Sequence, residues 1–328
     1  MFHIKIDEFA VVVKKSISKE EIYEFTKELI KNLEKPYEID DYMIFLKFRA
    51  GIAYQKRTFM MSLLALDATK ILNKDIVFDD EAEKIMESYK KHLVWLKKLK
   101  VAIENKKLVP YYQPIFDKNK NICKYEVLVR LIDEDNQVIS PYFFLDIAKK
   151  SKLYFDITKQ VIQKAFKKFE NTDCEFSINL SSLDMENEDI KKFIMEKLVS
   201  FNNPKRISFE VVESENIKNS KNACVFIKEL KKFGCKILID DFGSGYGNFD
   251  YLLSLDADVV KIDGSLIKNI LEDKNSQIVV KTMINFTKKV NMQIIAEFVE
   301  NKEIFEYLKT LGVDCFQGYY FSPPKEDI

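Results

Sequence analysis

The sequence is poor in the residues that several common kinds of functional site require. Its 328 residues include two histidines, five cysteines, eight glycines and one tryptophan. The cysteines are dispersed, with no Cys-x-x-Cys pair, which argues against zinc and fits reduced thiols in a cytoplasmic protein. Both histidines, His3 and His92, lie in the first hundred residues. A metal site further along the chain must therefore use oxygen ligands, which suit Mg²⁺ or Mn²⁺.

The chain also lacks a net charge and a long apolar segment. Fifty-two basic residues balance fifty-two acidic ones, so DNA is not expected as a partner. The longest nearly apolar run, FMMSLLAL, is too short to span a membrane, and the charged N-terminus is unlike a signal peptide. With 47% hydrophobic and 32% charged residues, the composition predicts a globular cytoplasmic protein with room for two domains.

The N-terminal part predicts a small α/β unit. Residues 4–13 (IKIDEFAVVV) and 42–54 (YMIFLKFRAGIAY) read as strands. Ser18, two residues before Glu20, predicts the start of a helix. A second helix is predicted over residues 60–74. From about residue 81 to 106, a lysine-rich segment of helical period predicts a connecting helix; a basic surface for a membrane or partner is the weaker interpretation.

Short apolar stretches alternate with helix-length segments over the rest of the chain, which predicts an α/β barrel. The eight predicted strands are VPYYQPIF (109–116), YEVLVR (125–130), EFSINL (175–180), RISFEVV (206–212), KILIDD (236–241), VVKID (259–263), QIIAE (293–297) and DCFQGYYF (314–321). Only DKNKNICK separates the first two strands, which is too short for a parallel crossover. We therefore expect a modified TIM barrel whose first strand is antiparallel.

Polar side chains recur among the apolar residues of these strands, toward the ends where TIM-like barrels keep their chemistry. These residues are Glu126, Asn179, Glu210, Asp240, Lys261, Glu297 and Gln317. Lys261 and Arg130 alone cannot balance so many buried carboxylates, whereas two divalent cations would. A pair of metal ions is the usual device for attack on a phosphodiester.

Glycine is concentrated directly behind two adjacent aspartates. Three of the eight glycines fall in the five positions 243–247, shortly after Asp240 and Asp241. Adjacent residues of a regular strand point to opposite faces, so both carboxylates reach one site only if the backbone turns. We expect the Gly243-Ser244-Gly245 turn to permit this.

Several motifs in a fixed order resemble those of the EAL family, the phosphodiesterases that hydrolyse cyclic di-GMP. They are YYQPI, EVLVR, SINLS, FEVVE, DDFGSGYGNF, VKID, AEFVE and QGYYFSPP. The resemblance covers about residues 92–328, and its specificity comes from the order of the whole set. It implies hydrolysis of cyclic di-GMP to linear 5′-pGpG in bacterial second-messenger signalling, with two Mg²⁺ or Mn²⁺ ions and a homodimer formed through this domain.

The resemblance also implies roles for individual residues. The implied metal ligands are Glu126, Asn179, Glu210, Asp240, Asp241 and Glu297. Further implied catalytic residues are Lys261 beside the attacking water, Gln317 near the water or phosphate, and Glu213 as anchor of the glycine loop. Implied substrate contacts are Gln113, Leu128, Arg130, Asp263 and Pro324. The implied regulatory loop, which links metal site and dimer interface, is Phe242, Gly243, Ser244, Gly245 and Tyr246.

Three positions depart from the family pattern. Val127 stands where the signature has alanine, and it points away from Glu126. In SPYFFLDIAKKSKL, Asp146 replaces a proline and Lys149 replaces a glutamate. None of these changes removes an implied metal ligand.

The N-terminal unit resembles the latter part of a GGDEF domain, the partner that makes cyclic di-GMP. KIDEF stands at the signature, with Lys5 and Ile6 in place of both glycines, so cyclase activity is not expected. The predicted organisation is a truncated, degenerate GGDEF-like unit (1–83), a connecting helix (84–106) and an EAL domain (92–328). A structural or dimerising role is preferred for the first unit, allosteric GTP binding is a weaker alternative, and a sensor domain would lie upstream if the chain is a fragment.

Two other functions compete with hydrolysis of cyclic di-GMP. A catalytically weak cyclic di-GMP receptor would signal through the glycine loop, although such receptors usually lose metal ligands. A TIM-barrel sugar enzyme or isomerase with one Mg²⁺ would share only the fold, and it gives no reason for adjacent Asp240 and Asp241.

Overall fold

The structure, a computed structural model, describes residues 1–5, 7–14, 17–54, 58–215, 217, 220–244 and 249–328. The chain divides into two compact units, Met1–Val94 and Trp95–Ile328, which are described separately. Among the described residues, no helix combines the length and the apolar character that crossing a membrane requires.

The first unit is built from short strands and helices. Its elements are β1 (Phe2–Lys5), β2 (Glu8–Ala10), α1 (Lys19–Leu33), β3 (Tyr37–Ile39), β4 (Tyr42–Ile44), β5 (Ala50–Ile52), α2 (Phe59–Leu72), β6 (Ile76–Phe78) and the start of α3 (Asp79–Glu104). Strands β1 and β2 form an antiparallel hairpin, as do β3 and β4. Strands β5 and β6 are parallel and are connected through α2.

Local sequence explains how these elements begin and pack. Ser18 caps α1 in a capping box whose second member is Glu21, and not the neighbouring Glu20. Strand β5 approaches α2 closely at Gly51, where a Cβ atom would lie 2.1 Å from the backbone nitrogen of Leu66. Glycine is therefore required at this contact.

Two predicted strands of this unit were wrong in extent. The first is divided into β1 and β2, with Lys5 and Glu8 joined across the turn by an ion pair of 3.0 Å; Ile6 lies outside the described residues. The second is divided into β4 and β5 because these segments need different partners. Strand β4 pairs antiparallel with β3, whereas β5 pairs parallel with β6.

The second unit is a closed eight-stranded barrel with helices around it. Its strands are β7 (Leu108–Asp117), β8 (Ile122–Ile132), β9 (Val138–Ile139), β10 (Glu175–Asn179), β11 (Ile207–Val212), β12 (Lys236–Phe242), β13 (Val259–Ile262), β14 (Gln293–Ala296) and β15 (Cys315–Phe316). Its further helices are α4 (Leu145–Lys149), α5 (Tyr154–Phe169), α6 (Ser182–Glu186), α7 (Glu188–Ser200), α8 (Lys221–Lys232), α9 (Phe249–Ser254), α10 (Gly264–Lys268), α11 (Lys274–Lys289) and α12 (Lys302–Leu311).

The strand order confirms the predicted modified barrel. From β8 the ring runs through β10, β11, β12, β13, β14 and β15, and β7 closes it by pairing with both β15 and β8. Strand β7 is antiparallel to both neighbours, and the other adjacent pairs of the ring are parallel. The short β9 is not one of the eight strands of the ring: it pairs antiparallel with the end of β8, and it was not predicted.

The inside of the barrel is packed in layers. One buried apolar cluster fills its lower interior with Ile115, Leu238, Val259, Ile295 and Cys315. A larger core lies between the strands and the surrounding helices, where Phe169 and Phe176 stack with ring centroids 4.3 Å apart. Polar side chains lie above the apolar cluster, toward the carboxyl ends of the parallel strands.

Candidate active site

A single buried lysine lies at the centre of the polar layer. Lys261, on β13, is 1% exposed, and its Nζ contacts carboxylate oxygens from four other strands or strand ends. The distances are 3.1 Å to Glu126, 2.8 Å to Glu210, 3.0 Å to Asp240 and 2.9 Å to Glu297. One cation therefore faces four carboxylates, and this part of the barrel holds an excess of negative charge.

Glu126 is fixed in place by side chains from three other strands or strand ends. Asn179 donates from Nδ2 to Glu126 Oε1 at 3.1 Å, and Gln317 donates from Nε2 to Glu126 Oε2 at 2.7 Å. The same Gln317 nitrogen lies 3.2 Å from the Oε1 of Gln113. These contacts leave Glu126 one orientation, facing Lys261.

The two adjacent aspartates do reach a common site, but by a different device from the one expected. Asp241 itself adopts a left-handed backbone with φ of 54°, and the pairing of β12 with β13 shifts register at this point. Such a bulge re-aims one side chain of a strand. Asp240, Asp241 and Glu297 thereby bring carboxylate oxygens within 4.8 Å of one another. Asp241 is therefore itself left-handed, and Gly243, with φ of 97°, continues the turn after it; Gly245 lies outside the described residues.

Burial and mutual repulsion control the ionisation of these carboxyls. Burial and the nearby charge of Glu126 raise the pKa of Glu210 to about 8. Burial and Asp240 raise the pKa of Asp241 to about 6. Burial acts in the same direction on Glu126, but Lys261 and the hydrogen bonds from neighbouring amides outweigh it and lower the pKa of that group. Several of these carboxyls thus bind a proton more readily than a free carboxyl does, and an additional cation in the site would favour their ionised form.

The donor set fits a pair of hard divalent cations. Two groups of three carboxylates each lie within 4.8 Å, Glu126–Glu210–Asp240 and Asp240–Asp241–Glu297, and they share Asp240. The Oε1 atom of Glu210 is buried and has no hydrogen-bond partner among the described residues. A buried carboxylate oxygen without a partner is costly, and a cation would satisfy it. Oxygen ligands of this kind suit Mg²⁺ or Mn²⁺.

The glycine loop is attached to the site through a glutamate. Glu213 accepts a hydrogen bond of 3.0 Å on Oε2 from the backbone nitrogen of Gly243, whose φ is 97°. Phe242, which we had placed in this loop, is the last residue of β12 and is fully buried. Ser244 follows in the described part of the loop, and Gly245 and Tyr246 lie outside the described residues.

Predicted substrate contacts lie along the rim of the barrel. Gln113 donates to the backbone carbonyl of Ser322 at 3.2 Å, in the C-terminal segment that also contains Pro324. Arg130 and Leu128 are partly exposed on β8; the guanidinium of Arg130 lies 5.7 Å from the ring centroid of Tyr111. Away from this edge, Asp263 caps α10 by accepting from the nitrogen of Ser265 at 2.9 Å.

A buried network beside Asn179 was missed from the sequence. Tyr154 donates its hydroxyl to Asp184 at 2.7 Å, Thr158 donates to the same carboxylate at 2.9 Å, and the Ser181 nitrogen also donates to it at 2.9 Å. It fixes the start of α6, two residues after Asn179. The Ser-x-x-Asp spacing of a capping box at residues 181–184 was the available signal.

The unusual Lys149 has a specific partner. Its Nζ lies 3.0 Å from Glu215 Oε1, and the other oxygen of Glu215 accepts a hydrogen bond from the backbone nitrogen of Ser182. Lys149 therefore connects α4 to the segments that follow β10 and β11. Its positive charge is thus paired with Glu215 and not with the carboxylates around Lys261.

Comparison with known proteins agrees with the fold and with the family resemblance. The model of the EAL domain matches residues 96–324. The cyclic di-GMP phosphodiesterase PdeB of Shewanella oneidensis is 31% identical over 263 residues, covering 77% of this chain and 30% of the relative. The bifunctional diguanylate cyclase/cyclic di-GMP phosphodiesterase MucR of Pseudomonas aeruginosa is 26% identical over 313 residues, covering 90% of this chain and 45% of the relative.

A solved structure gives the same answer for the fold. The PaMucR phosphodiesterase in complex with c-di-GMP superposes with a TM-score of 0.66 at 28% identity, covering 70% of this chain and 97% of that one. The chain belongs to the EAL-domain family. It spans less than half the length of the two curated relatives described above.

Proposed function

We propose that the protein hydrolyses cyclic di-GMP to linear 5′-pGpG in a reaction that depends on two divalent metal ions, Mg²⁺ or Mn²⁺. The observation that carries the proposal is the pair of overlapping carboxylate groups that share Asp240. The family assignment and the phosphodiesterase activity for which relatives such as PdeB are named support the same substrate. The dinucleotide bound in the PaMucR structure supports it further.

The acidic residues would hold the ions. One ion would lie among Glu126, Glu210 and Asp240, with the amide oxygen of Asn179 as a further ligand, and the other among Asp240, Asp241 and Glu297. When bound, two such ions make a water molecule more acidic and neutralise the developing charge on a phosphodiester.

The chain's own residues would position the reacting groups. Lys261 holds its ammonium against four carboxylates and supplies a fixed positive charge beside the phosphate. Gln317 orients Glu126 by donating a hydrogen bond from Nε2. The rest of its side-chain amide would contact the water or the phosphate. Gln113, Leu128, Arg130, Asp263 and Pro324 would contact the dinucleotide. Glu213 would keep the glycine loop docked through Gly243.

We extend the proposal to the organisation of the chain. The first unit would be a degenerate GGDEF-like domain without cyclase activity, an assignment supported by the long alignment with the bifunctional relative MucR. Its hairpin carries Lys5 at the turn where the two glycines of the signature would stand. The α3 segment would connect it to the barrel domain, and the protein would act in the cytoplasm as a homodimer formed through that domain.

The decisive experiment is incubation of the purified chain with cyclic di-GMP and Mn²⁺, with an EDTA control and chromatography of the products. We expect pGpG to form only without EDTA. The matched variant is Glu126→Gln, which keeps the side-chain volume and removes one negative charge. Product formation by this variant at the wild-type rate would contradict the proposal. Binding without product in the wild type would instead assign the chain to the receptor class.

A further inference from the structure

A large aromatic residue adopts a strained backbone directly beside the site. Phe298 follows Glu297 at the end of β14 and has φ of 51°, in the left-handed region. For a bulky residue this conformation is an outlier that costs free energy unless the surroundings impose it. The ring is nevertheless 49% exposed, so burial of Phe298 does not offset that cost.

The backbone on both sides of Phe298 is held in place. The nitrogen of Glu297 donates to the carbonyl of Ile262 at 3.4 Å, and the nitrogen of Val299 donates to the carbonyl of Gln317 at 3.0 Å. These bonds tie the segment to the ends of β13 and β15. The strained residue is therefore a fixed feature of the rim and not a loose loop.

The ring lies over the first turn of α10. A Cβ atom at Gly264 would be 2.2 Å from Cδ2 of Phe298, so only glycine leaves room for the ring there. The Nζ of Lys268, one turn further along α10, lies 4.8 Å from the ring centroid. Gly264 thus leaves room for the ring and the Lys268 ammonium lies over it, while Phe298 as a whole remains half exposed.

The placement puts this platform at the mouth of the barrel. Phe298 is adjacent in sequence to Glu297, whose carboxylate contacts Lys261. Asp263, next to Gly264, has side-chain contact with Asp241. A half-exposed aromatic side chain, with an ammonium over its ring, therefore lies next to the acidic groups of the site.

We propose that Phe298 is a base-stacking residue that binds a guanine of cyclic di-GMP, with Lys268 directed to the acceptor edge of that base. Stacking of a base on an aromatic side chain is a strong and common contribution to nucleotide binding. The O6 and N7 atoms of guanine are both acceptors, which a lysine ammonium complements. This assignment rests on the proposed function, because it names how the same site holds its substrate.

The first test compares Phe298→Gly with Phe298→Tyr. Phe298→Gly removes the ring and also the backbone strain, so the melting temperature should stay equal or rise while the Kd for cyclic di-GMP, measured calorimetrically in EDTA, increases about tenfold. With Mn²⁺ the change should appear in KM, with kcat altered much less. Phe298→Tyr should restore the wild-type Kd. A residue with only a structural role would instead lower the melting temperature and leave Kd unchanged.

A spectroscopic test reports stacking directly. The sequence has one tryptophan, Trp95, so the double variant Trp95→Phe, Phe298→Trp carries a single indole at the proposed contact. We expect cyclic di-GMP to quench its fluorescence, and Lys268→Met in this background to weaken the nucleotide affinity.

The outcomes separate this inference from the proposed function. If the wild type neither binds nor hydrolyses cyclic di-GMP, the function itself is wrong. If the wild type is active but Phe298→Gly binds with unchanged Kd, or the indole is not quenched, the stacking role alone is overturned. A change of Kd that accompanies a change in oligomeric state would also overturn it, since the ring would then belong to a subunit contact.

Discussion

The barrel interior has two adjacent layers that the same strands build in opposite ways. On β12, Leu238 belongs to the apolar lower layer and Asp240 to the charged upper one; on β13, Val259 and Lys261 are divided in the same way. Each pair is separated by two residues, the repeat that returns a side chain to the same face of a strand. The position along the strand, and not the face, therefore decides whether a residue stabilises the barrel or serves its chemistry.

The two layers also differ in how completely their contacts are satisfied. Side chains of the lower layer are closely packed and 0–9% exposed. The upper layer is also buried, yet one ammonium must serve four carboxylates, and an oxygen of Glu210 has no partner among the described residues. A well-packed layer thus supports one that is under electrostatic strain. We expect substitutions in the two layers to have opposite effects on stability and activity.

The sharpest test of the difference uses the pair on β12. Asp240→Asn should lower phosphodiesterase activity by roughly 10³-fold, because Asp240 is common to both carboxylate groups. The metal-free variant should be as stable as the wild type or more so, since burial raises the pKa of Asp240 and disfavours its charge. Leu238→Ala should do the reverse and cost about 2–5 kcal/mol of folding free energy through the cavity that it leaves. Urea unfolding and product assays of both variants measure the contrast. Equal loss of stability in the two would contradict it.

A second test compares two buried lysines inside the barrel. Lys261→Met leaves four carboxylates without a counter-charge, and it should lower the unfolding free energy at pH 8 by about 3–5 kcal/mol when no divalent ion is present. Saturating Mn²⁺ should restore much of the lost unfolding free energy. The matched control is Lys124→Met, because Lys124 is 3% exposed and its ion pair with Glu175 is long, at 3.8 Å. Glu175 would keep its contact with Lys236 at 3.2 Å in this variant. Burial lowers the pKa of Lys124, so this change should be neutral or stabilising and independent of Mn²⁺. Similar behaviour of both variants would refute the distinction between the layers.

The alternation between the layers is also why much of the barrel could be predicted. Strand period, loop length and the position of polar residues predicted eight strands, the antiparallel hairpin and a polar layer that includes Lys261, although not its central position. These features are local in sequence or repeat with a fixed period. The prediction of the N-terminal strands failed where a single apolar stretch serves two different partners, as in β4 and β5.

The features that were missed depend on contacts between distant segments. The glycines after Asp241 predicted a turn near this point but not that Asp241 itself would be left-handed, and no glycine marks the left-handed backbone at Phe298. Lys149 stands where the family pattern has a glutamate, and it pairs with Glu215, which lies 66 positions away. Such pairings are decided by how strand ends meet at the rim, and no periodicity in the sequence encodes them.

A smaller effect should come from pH, through competition between protons and metal for the upper layer. The folded pKa of Glu210 is raised to about 8 by burial and by Glu126. Because folding raises the pKa of this carboxyl, its contribution to the stability of the metal-free protein is full below the pKa that it has in the unfolded chain. The contribution is lost as the pH rises from that value through about 8. At pH 6 nearly every Glu210 carboxyl holds a proton that a divalent ion must displace, whereas at pH 8 about half of them do. We therefore expect the Kd for Mn²⁺ to fall by about 10- to 100-fold between pH 6 and pH 8.

The measurement is calorimetric titration of Mn²⁺ at both pH values, together with the melting temperature with and without the ion. The metal-free melting temperature should fall from pH 6 to pH 8, and the gain from Mn²⁺ should grow over the same interval. Glu210→Gln is the matched control, because it keeps the shape of the side chain and cannot titrate. In that variant the metal affinity should be lower throughout and should depend less on pH. An unchanged pH dependence would show that Glu210 is not the group that binds the proton, and Asp241, with a pKa raised to about 6, would be examined next.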